Sequence, residues 1–577
     1  MSRKGLILLV SVLGLACGRT SHDAPADEGQ AGTAPGAGRN AGGAGSSETG
    51  TAGSNRGGTG SSSGGTGSNS GGIGGGLGEL SHVDLTGAPI FTRVQRLTNA
   101  QWENAVVDVL RLSPGQKLSA DFAAPVAGAT TFDNNEQVLF VAPRQFSDFE
   151  SATEAAAAIA TGSPQALAAL YSGADAAGFV RAFGRRAFRR PLTTDEEVKY
   201  RSVFELGERL YGAGFANGAA LVVRAMLQSP LFLYRTELGP AGDALNPYEI
   251  ASKLSFWLLG TTPSDSLLDA VAAGKLASPD DAEAVAVQML EDPRAVSVMR
   301  DFHGQLFHLA YLQGIGKPGV ADYDPAINAE LVLASNGFFD WIFAQNLGLR
   351  ELLTSSRAYI GPRTAPLYGL GESPSGLELR EMGAGRKGYF MQLPFLMLWS
   401  TNAVPNPIQR GFQLEASMLC MRRAPDPAVP TIPPLTEASP GQTNRQRVSQ
   451  FTAACGASCH QVTDQLGFAF EAFDGLGRKR ELDNGQAVDT TGSYPFAEGP
   501  APFADGAELM TILAGSTQAH TCYSKHLTGY ALGRDVVEGD RPLLGSLAKV
   551  SRSKSLKDLI VALVRDPTFR TRKGGMP

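Results

Sequence analysis

Cys455 and Cys459 are followed at once by His460, in the run Cys455-Gly-Ala-Ser-Cys459-His460. Two thiols and an adjacent imidazole are the residue types that attach a c-type haem. The thiols add to the two vinyl groups, and the imidazole coordinates the iron. The usual arrangement has two residues between the cysteines. Here there are three, Gly456, Ala457 and Ser458, so a longer loop must meet one rigid porphyrin edge.

The same residues allow other chemistry. Cys420 and Cys522 lie in the same part of the chain. Four cysteines allow three disulfide pairings, and spacing does not choose among them. The thiols can bind zinc with His460 and one more ligand, although an exported protein is a poor place to keep thiols reduced, or they can be free and buried. Asp464, Glu471 and Asp474 bring carboxylates close to His460 in sequence. Acid pairs can do acid/base work, although a cap or ion-pair role is commoner for Glu471 and Asp474. These acids lack the loop spacing of a calcium site. For a haem iron, the candidates for a second axial ligand are Met510, His520, His526, Met391 and Met397. No catalytic constellation stands out, so the reading is an electron carrier or a binding protein rather than an enzyme.

Helices must position these groups. Thr443 and Gln446 form a capping box, and Val448, Phe451 and Cys455 follow at steps of three and four on one face. That predicts a helix turning Cys455 toward the core. Asn484-Gly485 is a hairpin-type turn. Cys522 and His526, four apart, share one face of a later helix. Upstream, Thr98 and Gln101 cap a helix with the stripe Trp102, Ala105, Val106, Val109 and Leu110. Thr194 and Glu197 are expected to cap a helix containing Val198 and Phe204. Before it, Arg185, Arg186, Arg189 and Arg190 would repel one another unless solvated, ion-paired or gathered around an anion. Asn246-Pro247, Ser278-Pro279 and Ser555 with Asp558 mark three more helix starts. His303 and His308 lie in a helix starting near Pro293, about 140° apart around its axis, and read as structural. Tyr389 to Trp399 reads as a buried apolar stretch.

The whole chain has 577 residues and a net charge of -6, which argues against a nucleic-acid partner held through phosphates. Its start reads as an export signal: Arg3 and Lys4, then the apolar run Leu6 to Leu15, too short for a membrane span. Gly14-Leu15-Ala16-Cys17 resembles a bacterial lipoprotein box, so Cys17 is expected to carry lipid and anchor the protein in a membrane. From Ala31 to Leu80, 20 of 50 residues are glycine, which makes this stretch a flexible tether. Residues 18 to about 80 would hold their ends roughly 45 Å apart.

Leu466-Gly-Phe-Ala-Phe-Glu-Ala-Phe-Asp-Gly-Leu-Gly-Arg478, directly after His460, resembles the cytochrome-like module of a secreted bacterial family. That family is built from consecutive domains of unknown function (1587, 1595, 1592, 1588 and 1585) and is of planctomycete and myxobacterial type. Arg96-Leu-Thr-Asn99 resembles its first module. Phe183 to Pro191 and Gln228 to Arg235 resemble the second, Leu254 to Leu258 the third, and Tyr530 to Arg534 the last.

The organisation expected is a signal peptide (1–17), a tether (18–85), and helical modules at 86–170, 171–240 and 241–375. A cytochrome-c-like module (376–498) and a C-terminal helical module (499–577) complete it. The expected fold is mainly α, with a short hairpin near the C-terminus. The resemblance implies haem c on Cys455, Cys459 and His460. With the lipid anchor, it implies electron transfer to a redox partner protein from the outer membrane, in the periplasm or at the cell surface. The alternative is a non-enzymatic surface lipoprotein with structural disulfides that binds a partner or polysaccharide.

Overall fold

The computed structural model describes residues 82–87, 94–124, 130–238, 244–421, 438–453 and 460–571. Cys17, the signal and almost all of the tether lie outside the described residues, as do Cys455 and Cys459. The fold is mainly helical, as expected. Its sheets, among the described residues, are four antiparallel pairs. No helix among these residues is long and apolar enough to cross a membrane.

Local sequence explains most helix starts. Thr98 and Gln101 exchange both capping-box hydrogen bonds, and the stripe from Trp102 to Leu110 is buried. Asn246 with Glu249, Ser278 with Asp281, Thr443 with Gln446 and Ser555 with Asp558 do the same. One cap differs from expectation. Thr193 and Glu196, not Thr194 and Glu197, cap the helix Thr194–Tyr211, and Val198 faces solvent. The reason is Arg190, whose guanidinium holds both oxygens of Glu196 and so fixes which acid closes the box.

The four clustered arginines separate rather than share an anion. Arg185 pairs with Asp269 and Arg190 with Glu196. Arg186 and Arg189 are buried and donate to backbone carbonyls: Val109 and Leu170 for one, Leu231, Phe232 and Tyr234 for the other. These carbonyls lie at helix C-termini, where no further helical N–H reaches them.

Two large apolar cores result. The first, from Leu97 to Leu233 with Phe256, joins the first two helical stretches. A short pairing of Val94–Arg96 with Tyr234–Thr236 closes it. The second core runs from Phe132 to Phe569 and takes in the whole stretch Tyr389 to Met397. The chain's end returns to close it: Leu245 N–H donates to Arg570 O at 3.0 Å, and Trp257 packs on Phe569. The described residues belong to one compact unit.

Near the C-terminus lie two hairpins. Leu482–Asp483 pairs with Gln486–Ala487 around Asn484 and Gly485, both at positive φ, as that dipeptide predicts. Gly492–Phe496 pairs with Gly499–Phe503. A disulfide joins Cys420 to Cys522 across 102 residues of chain. His303 lies in the helix Pro293–Leu306, but His308 lies beyond its end at φ 59°, so only the first is a helix residue.

Candidate functional site

The cytochrome-like stretch is positioned by the helix Asn444–Thr452, whose Val448 is buried against the core. Described residues resume with the helix His460–Phe468. This helix crosses Pro407–Leu414 at backbone contact. A Cβ on Gly467 would fall 1.8 Å from Pro407 O, and one on Gly411 2.2 Å from Thr463 O. Only glycine permits that approach. Glu415, 1% exposed, then accepts from Thr463 Oγ1 at 2.8 Å and from Tyr494 Oη at 2.6 Å, tying the helix to the second hairpin.

His460 begins the helix, and Asp464 is one turn on. The imidazole Nδ1–H donates to Asp464 Oδ1 at 3.2 Å. The Asp464 carboxylate is buried, with no hydrogen-bond partner for Oδ2, whereas the His460 side chain keeps 28% of its surface open. The bond to Asp464 raises the imidazole's pKa despite some burial. With Nδ1 committed, the tautomer set by this bond leaves Nε2 with no protein partner among the described residues. Metal-ligating histidines share this feature, a near nitrogen oriented by a carboxylate. In the sequence Asp464 stands only as one of three acids near His460. Its signal was the i, i+4 spacing on one helix.

The other acids do different work. Glu471, 2% exposed, pairs with Arg480 at 2.9 Å and accepts from Asn444 Nδ2, and burial pushes its carboxyl up to about 7. Asp474 closes a turn by accepting from the Leu476 and Arg478 backbone N–H groups and from the Arg478 side chain. These are packing and turn roles.

The candidates for a second axial ligand are occupied elsewhere. Met391, Met397 and Met510 are core residues at 1% exposure or less. Both ring nitrogens of His520 are bonded, to Ser551 Oγ and Ala514 O. His526 Nε2 lies 3.4 Å from Cys420 Sγ and 3.3 Å from Ala416 O. Cys420, Cys522 and His526 come together as a metal-type trio, but the two sulfurs are bonded to each other. Of the three pairings open to four cysteines, only the one that leaves Cys455 and Cys459 to each other is compatible with this bridge.

Five family models match in order. They are described as proteins of unknown function: DUF1587 over residues 95–162, DUF1595 over 175–237, DUF1592 over 245–370, DUF1588 over 386–483 and DUF1585 over 500–569. The model over 386–483, which contains the Cys/His run, has the short name PSCyt3. No curated protein and no solved structure matches the chain.

Proposed function

The chain belongs to a family of proteins built from these five consecutive domains of unknown function, and from that membership we propose an exported, membrane-tethered, cytochrome-c-like electron carrier. Cys455, Cys459 and His460 are the residues that would hold haem c, the thiols by covalent attachment and the imidazole by binding iron. Cys17 carries the lipid that holds the protein to the outer membrane. The single observation that carries the reading is His460, its Nδ1 bound to a buried carboxylate and its Nε2 without a protein partner among the described residues. A c-type haem supplies a one-electron ferric/ferrous couple. In this chain Asp464 orients the imidazole and, by accepting from Nδ1, would make it a more basic ligand. The remainder of the module holds the ligating helix rigidly against Pro407–Leu414.

The test is a pyridine haemochrome spectrum of protein matured with the c-type assembly machinery. The expected result is a c-type α band in the wild type and its loss in Cys455→Ala with Cys459→Ala. A flat visible spectrum from folded wild-type protein sinks the reading.

The Cys420–Cys522 bridge supports a second reading, a surface lipoprotein whose cysteines are structural and which binds a partner or polysaccharide. Intact mass with and without reductant separates the two. Two bridges add about four mass units on reduction and one bridge about two. A gain of two with no haem mass, and free thiols at Cys455 and Cys459, would leave neither reading standing as stated.

A further inference from the structure

Three modules converge on a pair of carboxylates. Asp133 comes from the first module, Asp301 and Gln305 from the helix Pro293–Leu306 of the third, and Tyr530 from the helix Thr517–Leu532 of the last. Gln305 Nε2 donates to Asp133 Oδ1 at 3.0 Å and to Asp301 Oδ2 at 2.8 Å. Its Oε1 accepts from the Asp133 backbone N–H at 2.8 Å, which fixes the amide's orientation. Tyr530 Oη donates to Asp301 Oδ2 at 2.8 Å. Phe132, stacked on Phe302 and edge-on to Tyr530, pins the strand of chain that carries Asp133.

The pair stands where two clefts meet. One, about 600 Å³, is walled by Gln101, Asn104, Thr261 and Asn134. The other, about 550 Å³, is walled by Thr130, Arg300, His308, Tyr311 and Asn336. Asp133 and Asp301 line both. Asp301 remains open to solvent, yet protein surrounds it on several sides. That setting and the charge of Asp133 raise its pKa to about 6. Asp301 Oδ1 has no hydrogen-bond partner among the described residues.

In the second cleft Tyr311 keeps 53% of its surface exposed while stacking on His308, with ring centroids 5.7 Å apart and planes 13° apart. His308 is held at φ 59°, a left-handed conformation rare outside glycine and asparagine, and its ring also meets Trp399 edge-on. A strained residue supporting an exposed aromatic ring at a cleft is the kind of backbone that function retains.

The chemistry of the walls selects the ligand. Gln305 Nε2 stands between the carboxylates and donates to one oxygen of each, so those two oxygens are already engaged. The arginines are already neutralised, Arg300 by Asp340 and Arg294 by Asp292. Two acids at the junction disfavour an anionic ligand. The hydrogen-bond acceptors, the exposed ring and the two adjoining clefts suit a neutral molecule rich in hydroxyl donors, with an apolar face to lie on a ring and enough length to occupy both clefts.

We propose that this junction binds a neutral oligosaccharide, with Tyr311 as its stacking platform and Asp133 and Asp301 as acceptors for its hydroxyl groups. The proposal deepens the second reading above, in which the protein binds a polysaccharide, and stands independently of haem attachment. The mass measurement of the disulfides and the titration below therefore fail separately.

The experiment is calorimetric titration of the full chain with the hexasaccharides of maltose, cellulose, xylan and mannan type, with hexagalacturonate as the charged control. At least one neutral hexasaccharide is expected to bind. Tyr311→Ala, a change at an exposed ring, is expected to weaken binding at least tenfold without moving the melting temperature. Asp301→Ala is expected to weaken it as much. Three outcomes overturn the proposal: no neutral hexasaccharide bound, only hexagalacturonate bound, or binding untouched by Tyr311→Ala.

Discussion

His460 and Asp464 stand one helical turn apart, and the imidazole Nδ1 donates to a carboxylate that is almost wholly buried, at 3.2 Å. A buried carboxylate with one bonded and one orphaned oxygen is costly to keep, which points to a demand on the histidine rather than on packing. Asp464→Asn is expected to lower the imidazole's pKa, because the largest cause of its upward shift is that hydrogen bond. An NMR titration of the His460 ring protons reads this directly. An unchanged midpoint would mean the bond does not hold in solution. In haem-loaded protein the same substitution should raise the reduction potential, since a weaker donor stabilises the ferric state less.

The Cys420–Cys522 bridge closes a loop of about a hundred residues and should stabilise the fold by roughly 4–5 kcal/mol in the chain-entropy picture. Its surroundings are Val83, Leu85, Val536 and Leu544, so the sulfurs are also packed. Cys420→Ser with Cys522→Ser should lower the denaturant midpoint by a corresponding amount. Reductant should shift the wild type toward the double variant.

Gly467→Ala tests the crossing that holds the helix His460–Phe468. A methyl group there meets a carbonyl oxygen at 1.8 Å, and backbone cannot move aside as a side chain tip would. A loss of about 2–4 kcal/mol is expected, read by chemical denaturation. Gly485→Ala makes the contrast: open space surrounds that residue, and only its positive φ of 81° opposes the change. Its cost should be about 1 kcal/mol.

Two buried groups should give opposite pH dependences. Burial pushes Glu471 up to about 7, so the folded protein holds its proton more tightly than the unfolded chain does. Relative to Glu471→Gln, the wild type should gain stability as pH falls from about 7 to about 4.5, by at most about 3 kcal/mol. Burial pushes His303 down to about 4, with its nitrogens bonded to Met299 O and Tyr523 Oη. There the unfolded chain binds the proton more tightly. Relative to His303→Phe, the wild type should lose stability as pH falls from about 6.5 to about 4. Urea midpoints of wild type and both variants across that window check the signs, and two differences running the same way would contradict this assignment.

What was legible in the residues was local. Thr98 with Gln101, Ser278 with Asp281 and Thr443 with Gln446 mark helix starts because a capping box closes within four residues, whatever surrounds it. Asn484-Gly485 marks a hairpin for the same reason: the turn needs two positive φ values, and those residues adopt them cheaply. The order of the five modules was also readable, because each carries its own short motif. Choosing between Thr193 and Thr194 was not, since the decision lies with Arg190, outside the box.

The pairing of Cys420 with Cys522, the burial of Arg186 and Arg189, and the convergence of Asp133, Asp301 and Tyr530 came only with the tertiary structure. Sequence by itself determines contacts whose partners are a turn apart, because backbone geometry already brings them together. Contacts between residues a hundred or four hundred positions apart depend on which apolar faces share a core. That choice is made by the summed burial of many side chains, and no single stretch of residues contains it.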